Sequence, residues 1–139
     1  MNEPIRLGVP VGYVDVHLRH VRPVNESHGY IGGRFVVDIT GDVAATTTGI
    51  FFAGDTLGRF LTGLADDFRG WTGQRVWRSP DTELHVAATH DKLGHIHLAW
   101  TLTDGQLDPG WKLTTATTVD AGEDMQRLAA DVRAAEPNN

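Results

Sequence analysis

Apolar residues along the chain recur with two different periods. From Leu57 to Phe68 they fall at Leu57, Phe60, Leu61, Leu64 and Phe68, a spacing that puts one apolar stripe along a helix. Asp55 stands where an N-cap is needed, and Gly70, just past the stripe, supplies a left-handed exit. Gly58 and Gly63 lie inside this helix at a cost of about 1 kcal/mol each against alanine, which predicts close backbone approach to a neighbour, most simply a sheet. From Glu83 the period becomes two. Leu84, Val86 and Ala88 alternate with polar and small residues, and Ile96, Leu98, Trp100 and Leu102 do so after a turn, which predicts a hairpin. Setting Val86 opposite Trp100 and Ala88 opposite Leu98 brings both apolar rows to one face. Asp91 then faces His95 across the loop Lys92, Leu93 and Gly94, and Trp100 becomes a core anchor.

Before the helix, alternation predicts a short strand at Ile5 to Val9 and longer ones over Tyr13–Arg22, Arg34–Thr40 and Val43–Phe52, with Pro23, Asn25, Ser27 and Gly29 forming a loop. After the hairpin come a loop rich in aspartate and glycine, a strand over Trp111–Val119, and a second helix. Its start has capping-box spacing at Asp120 and Glu123, its stripe is Met125, Leu128, Ala129 and Val132, and a frayed tail is expected at Glu136–Asn139. Strands that come in runs predict an α+β fold: an antiparallel sheet of about eight strands, in one layer or two, with two amphipathic helices in the order ββββ-α-ββββ-α. Ala53, Gly54, Asp55, Leu57, Arg59 and Phe60 line up with Ala121, Gly122, Glu123, Met125, Arg127 and Leu128. Either one unit is used twice or two helix starts are alike by chance.

A length of 139 residues suits a single domain, residues 1–139. With no cysteine, disulfides and thiol chemistry are excluded. The first residues have no signal-peptide pattern and no long apolar run occurs, so a cytoplasmic protein without membrane contact is expected. Net charge is −6, and residues 104–139 carry seven acids against three bases. That acidity argues against nucleic acid and suits a basic protein partner. Around Arg69, Trp71, Arg75, Trp77 and Arg78 lies a basic and aromatic run of the kind that stacks single-stranded nucleic acid; the simpler reading has both tryptophans covering the junction between helix and sheet.

Catalytic constellations are missing. Asp66 and Asp67 are adjacent and point about 100° apart on a helix, Ser27 and Ser79 lack a nucleophile elbow, and no phosphate-binding glycine fingerprint is present. No catalytic residue and no cofactor are assigned. His95 and His97, on one strand face with Asp91, are the weak candidates for a divalent metal; solvent-facing strand histidines are the plainer account, and no metal is assigned. The expected function is a noncatalytic protein-binding module, with the exposed acids Asp66, Asp67, Asp104 and Asp108 as its guessed contacts. The alternative is a small-ligand or metal-binding protein or enzyme using a cleft between helix and sheet. An exposed strand edge pairing two copies is a third class, and the oligomeric state stays open.

Phe60 to Leu102 carry a recognisable pattern: an aromatic-Arg-Gly-Trp-x-Gly exit at Phe68–Gly73, Trp77-x-Ser79 opening the next strand, and Gly94-His95 in the hairpin. With the strand after Trp111 and the final helix, it resembles an uncharacterised family of small actinobacterial domains, most strongly over residues 54–134. No activity comes with that resemblance. The layout of sheet, helix, sheet and helix is in turn similar to WapI-type immunity proteins of bacterial polymorphic toxin systems, which implies a cognate toxin as partner.

Overall fold

The computed structural model describes residues 3–27 and 29–137. Their alternating segments form strands β1 (Ile5–Arg6), β2 (Val9–Pro10), β3 (Val14–Glu26), β4 (Gly29–Gly41) and β5 (Ala45–Phe52), followed by helix α1 (Leu57–Asp66). Strands β6 (Arg75–Arg78), β7 (Leu84–His90), β8 (His95–Thr103) and β9 (Lys112–Asp120) come next, and helix α2 (Glu123–Ala135) closes the chain. The fold is α+β with two antiparallel sheets, one ordered β1-β3-β4-β5 and the other β2-β9-β8-β7-β6. Both sheets and both helices contribute to one core, in which Trp100, Leu61, Ile39 and Met125 are fully buried.

The hairpin takes the expected register, with Val86 opposite Trp100, Ala88 opposite Leu98 and His85 opposite Thr101. Gly94, at φ 96°, closes its three-residue loop, as positive φ at that position requires. At the N-terminus the expected single strand is divided between the sheets. Ile5 pairs with Leu18 in the first sheet and Val9 with Thr118 in the second. Between them Leu7 is wholly buried: its amide donates to the Val16 carbonyl (2.8 Å), and its carbonyl accepts from the Thr117 hydroxyl (2.7 Å). Gly8 makes the crossing possible, because a Cβ there would stand 2.8 Å from Thr117 Oγ1 and its φ is 98°.

The loop expected at residues 23–29 is instead mostly strand. Pro23 sits opposite Gly33, and register shifts between Arg19 and Arg22 and between Val24 and Asn25 absorb the irregularity. β1 reaches only His17 and Leu18 of β3, so Pro23 lies on an open edge where its missing N–H leaves no ladder bond unmade.

Helix starts differ from expectation too. Thr56, not Asp55, caps α1, its hydroxyl accepting from the Arg59 amide at 3.0 Å. Asp55 instead accepts from Trp77 Nε1 (3.2 Å). Phe68 lies past the end of α1 and is half exposed. At α2 the cap is Gly122, at φ 92°, with no side-chain bond, because Asp120 is still held in the ladder opposite His95. Gly58 does meet a neighbour, though not a sheet: a Cβ there would lie 2.4 Å from Glu136 Oε1 and 2.8 Å from Arg133 Cγ of the α2 region. Gly63 has nothing within 4 Å. Of the expected frayed tail, Asn138 and Asn139 lie outside the described residues, whereas Glu136 accepts from the Gly58 amide (2.8 Å) and the Pro137 carbonyl from the Tyr30 hydroxyl (2.9 Å).

Each sheet ends in a helix after an edge strand and a three-strand meander, β1-β3-β4-β5-α1 and β6-β7-β8-β9-α2. Gly54 (φ 88°) and Gly122 (φ 92°) both take positive φ at the two matching positions, though Gly122 is the cap of its helix and Gly54 lies two residues before the cap of its own.

Candidate functional site

Hairpin geometry does bring His95, His97 and Asp91 together. Asp91 Oδ2 lies 2.9 Å from His95 Nδ1 and 3.5 Å from His97 Nε2, while Oδ1 accepts from the Leu93 amide (2.7 Å) and the His95 amide (3.0 Å). Burial works against the Asp91 charge, but the two amides and the His95 ring outweigh it and hold the carboxyl well below its usual range. Among the described residues no group of three or more histidines, cysteines or acids is arranged to hold a metal ion. The carboxylate is occupied in closing the hairpin loop.

The four acids guessed as contacts lie in two places. Asp66 and Asp67 end α1 beside the hairpin-loop end of the second sheet, where the Phe68 carbonyl lies 2.9 Å from His90 Nε2. Asp104 and Asp108 follow β8 at the opposite end; the six-residue advance along β7 from Leu84 to His90 is about 20 Å. Asp67 is moreover paired with Arg75 at 2.6 Å, and Asp104 accepts from the Gln106 and Gly110 amides (3.2 and 2.9 Å).

The basic and aromatic run is not a stacking surface either. Trp71 and Trp77 are buried, donating to the Ala88 carbonyl (3.4 Å) and to Asp55, and the Arg75 guanidinium covers the Trp71 ring at 4.6 Å. Ser79 is fully buried, its hydroxyl donating to Glu83 Oε1 at 2.7 Å and accepting from the Leu84 amide at 3.1 Å. Its role is to hold the β6–β7 turn.

What the second sheet leaves open is its outer face. Strand alternation sends Leu84, Val86, Ala88, Ile96, Leu98, Trp100 and Leu102 into the core and their neighbours outward. Register aligns Val76, Ala87, Ala99 and Ala116 in one row across four strands, and the Val11 amide donates to the Ala116 carbonyl at the far edge (3.1 Å). Threonines and histidines border this row: His85, Thr101 and Thr114 on one side, Thr89, His97 and Thr118 on the other.

At the β8–β9 loop the same face ends in a cleft of about 510 Å³, lined among others by Pro80, Asp81, His85, Thr101, Leu107 and Lys112. Its walls are held firmly. The Thr103 hydroxyl donates to the Thr82 carbonyl (3.0 Å) and accepts from the Gly105 amide (3.0 Å). Thr82 sits at φ 61°, an uncommon conformation for a β-branched residue. Burial lowers the pKa of His85, and the charges of Lys112 and Arg78 lower it further. Leu107 is left fully exposed over the cleft. The expected register sets His85 opposite Thr101, but it does not reveal Leu107 and Pro109, which reach the cleft through the path of the β8–β9 loop, or Lys112, which β9 places opposite Thr103. This cleft lies between loops on a sheet face; a smaller one, about 300 Å³, lies between helix α2 and the second sheet, lined among others by Val9, Thr118, Asp124 and Leu128.

Among the described residues no helix is long and apolar enough to cross a membrane. No curated protein and no solved structure matches the chain significantly. A family model does match, over residues 12–137, nearly the whole of both sheets and both helices; the chain belongs to a family of unknown function (DUF6228).

Proposed function

We propose that the protein is a noncatalytic protein-binding module that presents the outer face of its second sheet to a partner. The observation that carries this reading is the open row Val76–Ala87–Ala99–Ala116, small and apolar across four strands, while the other side of the sheet is sealed in the core. Five strands span about 19 Å, and the nine residues of β8 about 30 Å. A rectangle of that size, about 570 Å², is an upper bound, since β2 and β6 are only two and four residues long, and it falls short of the ~800 Å² per partner of a stable interface. The exposed Val9 and Val11 along one edge and Leu107 at one end supply further apolar contact area. The partner class proposed is a cognate toxin domain, blocked in the manner of an immunity protein, on the likeness of layout given above and the net charge of −6.

The test is capture of a partner from the source cell's lysate by immobilised wild-type protein and by Ala99→Arg, which adds a long charged side chain to the middle of the row. Wild type retains one protein that the variant loses, with both melting at the same temperature. Equal retention by Ala99→Arg rules out this face. Co-expression of the captured protein alone and with its binder then decides the toxin assignment: growth arrest relieved by wild type supports it, and no arrest removes it.

A further inference from the structure

The cleft at the end of the second sheet has a chemistry of its own, distinct from the alanine row. Its floor is polar, with His85 and Thr101 side by side across β7 and β8. The Thr101 and Thr114 hydroxyls lie 2.8 Å apart; whichever of them donates, the Thr101 hydroxyl, which lines the cleft, keeps hydrogen-bonding capacity of its own. Lys112 brings a positive charge to the lining, and among the described residues no carboxylate forms an ion pair with it. In a chain of net charge −6, His85, Lys112 and Arg78 make this a local concentration of basic groups, and Asp81 is the acid that lines the cleft. Pro80, Pro109 and the fully exposed Leu107 supply apolar walls. The volume, about 510 Å³, falls within the ~300–1,000 Å³ typical of small-molecule sites.

We propose that this cleft binds a small monocarboxylic acid with an apolar body, its carboxylate set against Lys112 and Thr101 and its body against Leu107, Pro80 and Pro109. Of the lysines and arginines, Lys112 alone lines the cleft, and Asp81 opposes it there, which suits one negative charge rather than the two of a phosphate monoester. The locked loops mean that little ordering remains to oppose binding. Leu107, otherwise held in water by a loop that Asp104 braces, gains a contact.

The probe is benzoate, titrated into the isotope-labelled protein while the amide and imidazole resonances are followed, with inorganic phosphate and methylammonium run beside it. Benzoate gives saturable shifts at His85, Thr101 and Lys112, and at saturation raises the His85 pKa from its lowered value, because a bound anion offsets Lys112 and Arg78. Lys112→Met, at an exposed position, keeps the wild-type melting temperature and weakens benzoate about tenfold, the expected loss of one charge-assisted hydrogen bond. Thr101→Val weakens it as well. Non-saturating shifts, unchanged affinity in Lys112→Met, or equal binding of phosphate overturns the proposal.

Discussion

Glu136 and Gly58 meet at the junction of the two helices: Glu136 Oε2 accepts from the Gly58 amide at 2.8 Å, in the space that a side chain at residue 58 would fill. The contact ties the end of α2 to the first turn of α1, whose free amides and dipole favour an acceptor there. Gly58 is thus a packing residue, whereas a Cβ at Gly63, on the same helix, would meet nothing within 4 Å.

Alanine therefore has opposite effects at the two glycines. Gly63→Ala gains about 0.5–1 kcal/mol from helix propensity alone. Gly58→Ala displaces Glu136 and Arg133 and loses about 1–3 kcal/mol, the usual cost of overpacking. Urea titrations of both variants check this, and a gain for Gly58→Ala would show that the helix junction yields.

Stability should fall as Glu136 ionises. Burial raises its pKa, and the Gly58 amide, the Thr56 hydroxyl and the Arg133 charge only partly offset that. A carboxyl whose folded pKa lies above its unfolded value near 4.5 contributes stability that is complete below 4.5 and is lost as pH rises through the folded value. Glu136→Gln, which still offers an oxygen to Gly58, removes that loss, so its melting temperature gains on wild type as pH is raised from 4 to 7. A constant difference across that range would refute the assignment.

Asp91 and Asp38 act in the opposite sense. Both carboxyls are lowered despite burial, Asp91 chiefly by the Leu93 and His95 amides and Asp38 chiefly by the Arg19 guanidinium. Their stabilisation is present above an unfolded pKa near 3.8 and is lost as pH falls through the lower folded values. Acid unfolding of Asp91→Asn should accordingly be flatter than that of wild type, and its stability at pH 7 lower. Thermal melts at a series of pH values from 7 downward are the measurement.

The sheet-to-sheet stitch rests on Thr117. Its hydroxyl accepts from Trp100 Nε1 (2.9 Å) and donates to the Leu7 carbonyl (2.7 Å), all three residues being fully buried. Trp100→Ala loses about 3–5 kcal/mol through the cavity it leaves. Thr117→Val keeps the volume but strands a donor and an acceptor, at about 1–3 kcal/mol for each unpaired group. A loss under 1 kcal/mol in Thr117→Val would mean that Leu7 and Trp100 find other partners.

Local interactions explain what the residue pattern made legible. The β7–β8 hairpin was readable to the residue, because one face must be apolar and the Asp91–His95 loop has only a few geometries. Both helix stripes were readable for the same reason, apart from Phe68, which keeps the spacing after the helix has ended. Asp55 was misread as a cap because its carboxylate answers to Trp77, 22 residues away, a partner that local spacing does not reveal. Asp66, Asp67, Asp104 and Asp108 are alike in type, but Asp104 is partly buried where the other three are exposed, and the sheet separates them into two pairs.

By itself, then, the sequence determined the fold class, the faces of the β7–β8 hairpin and the positions of the helices, since these follow from periodicity and from bonds closed within a few residues. Only the tertiary structure decided that Leu7 joins the two sheets, that Gly58 receives Glu136, and that His85, Lys112 and Leu107 enclose one cleft. Each of those depends on residues far apart in the chain, whose meeting is set by packing of whole elements into a shared core rather than by any local preference.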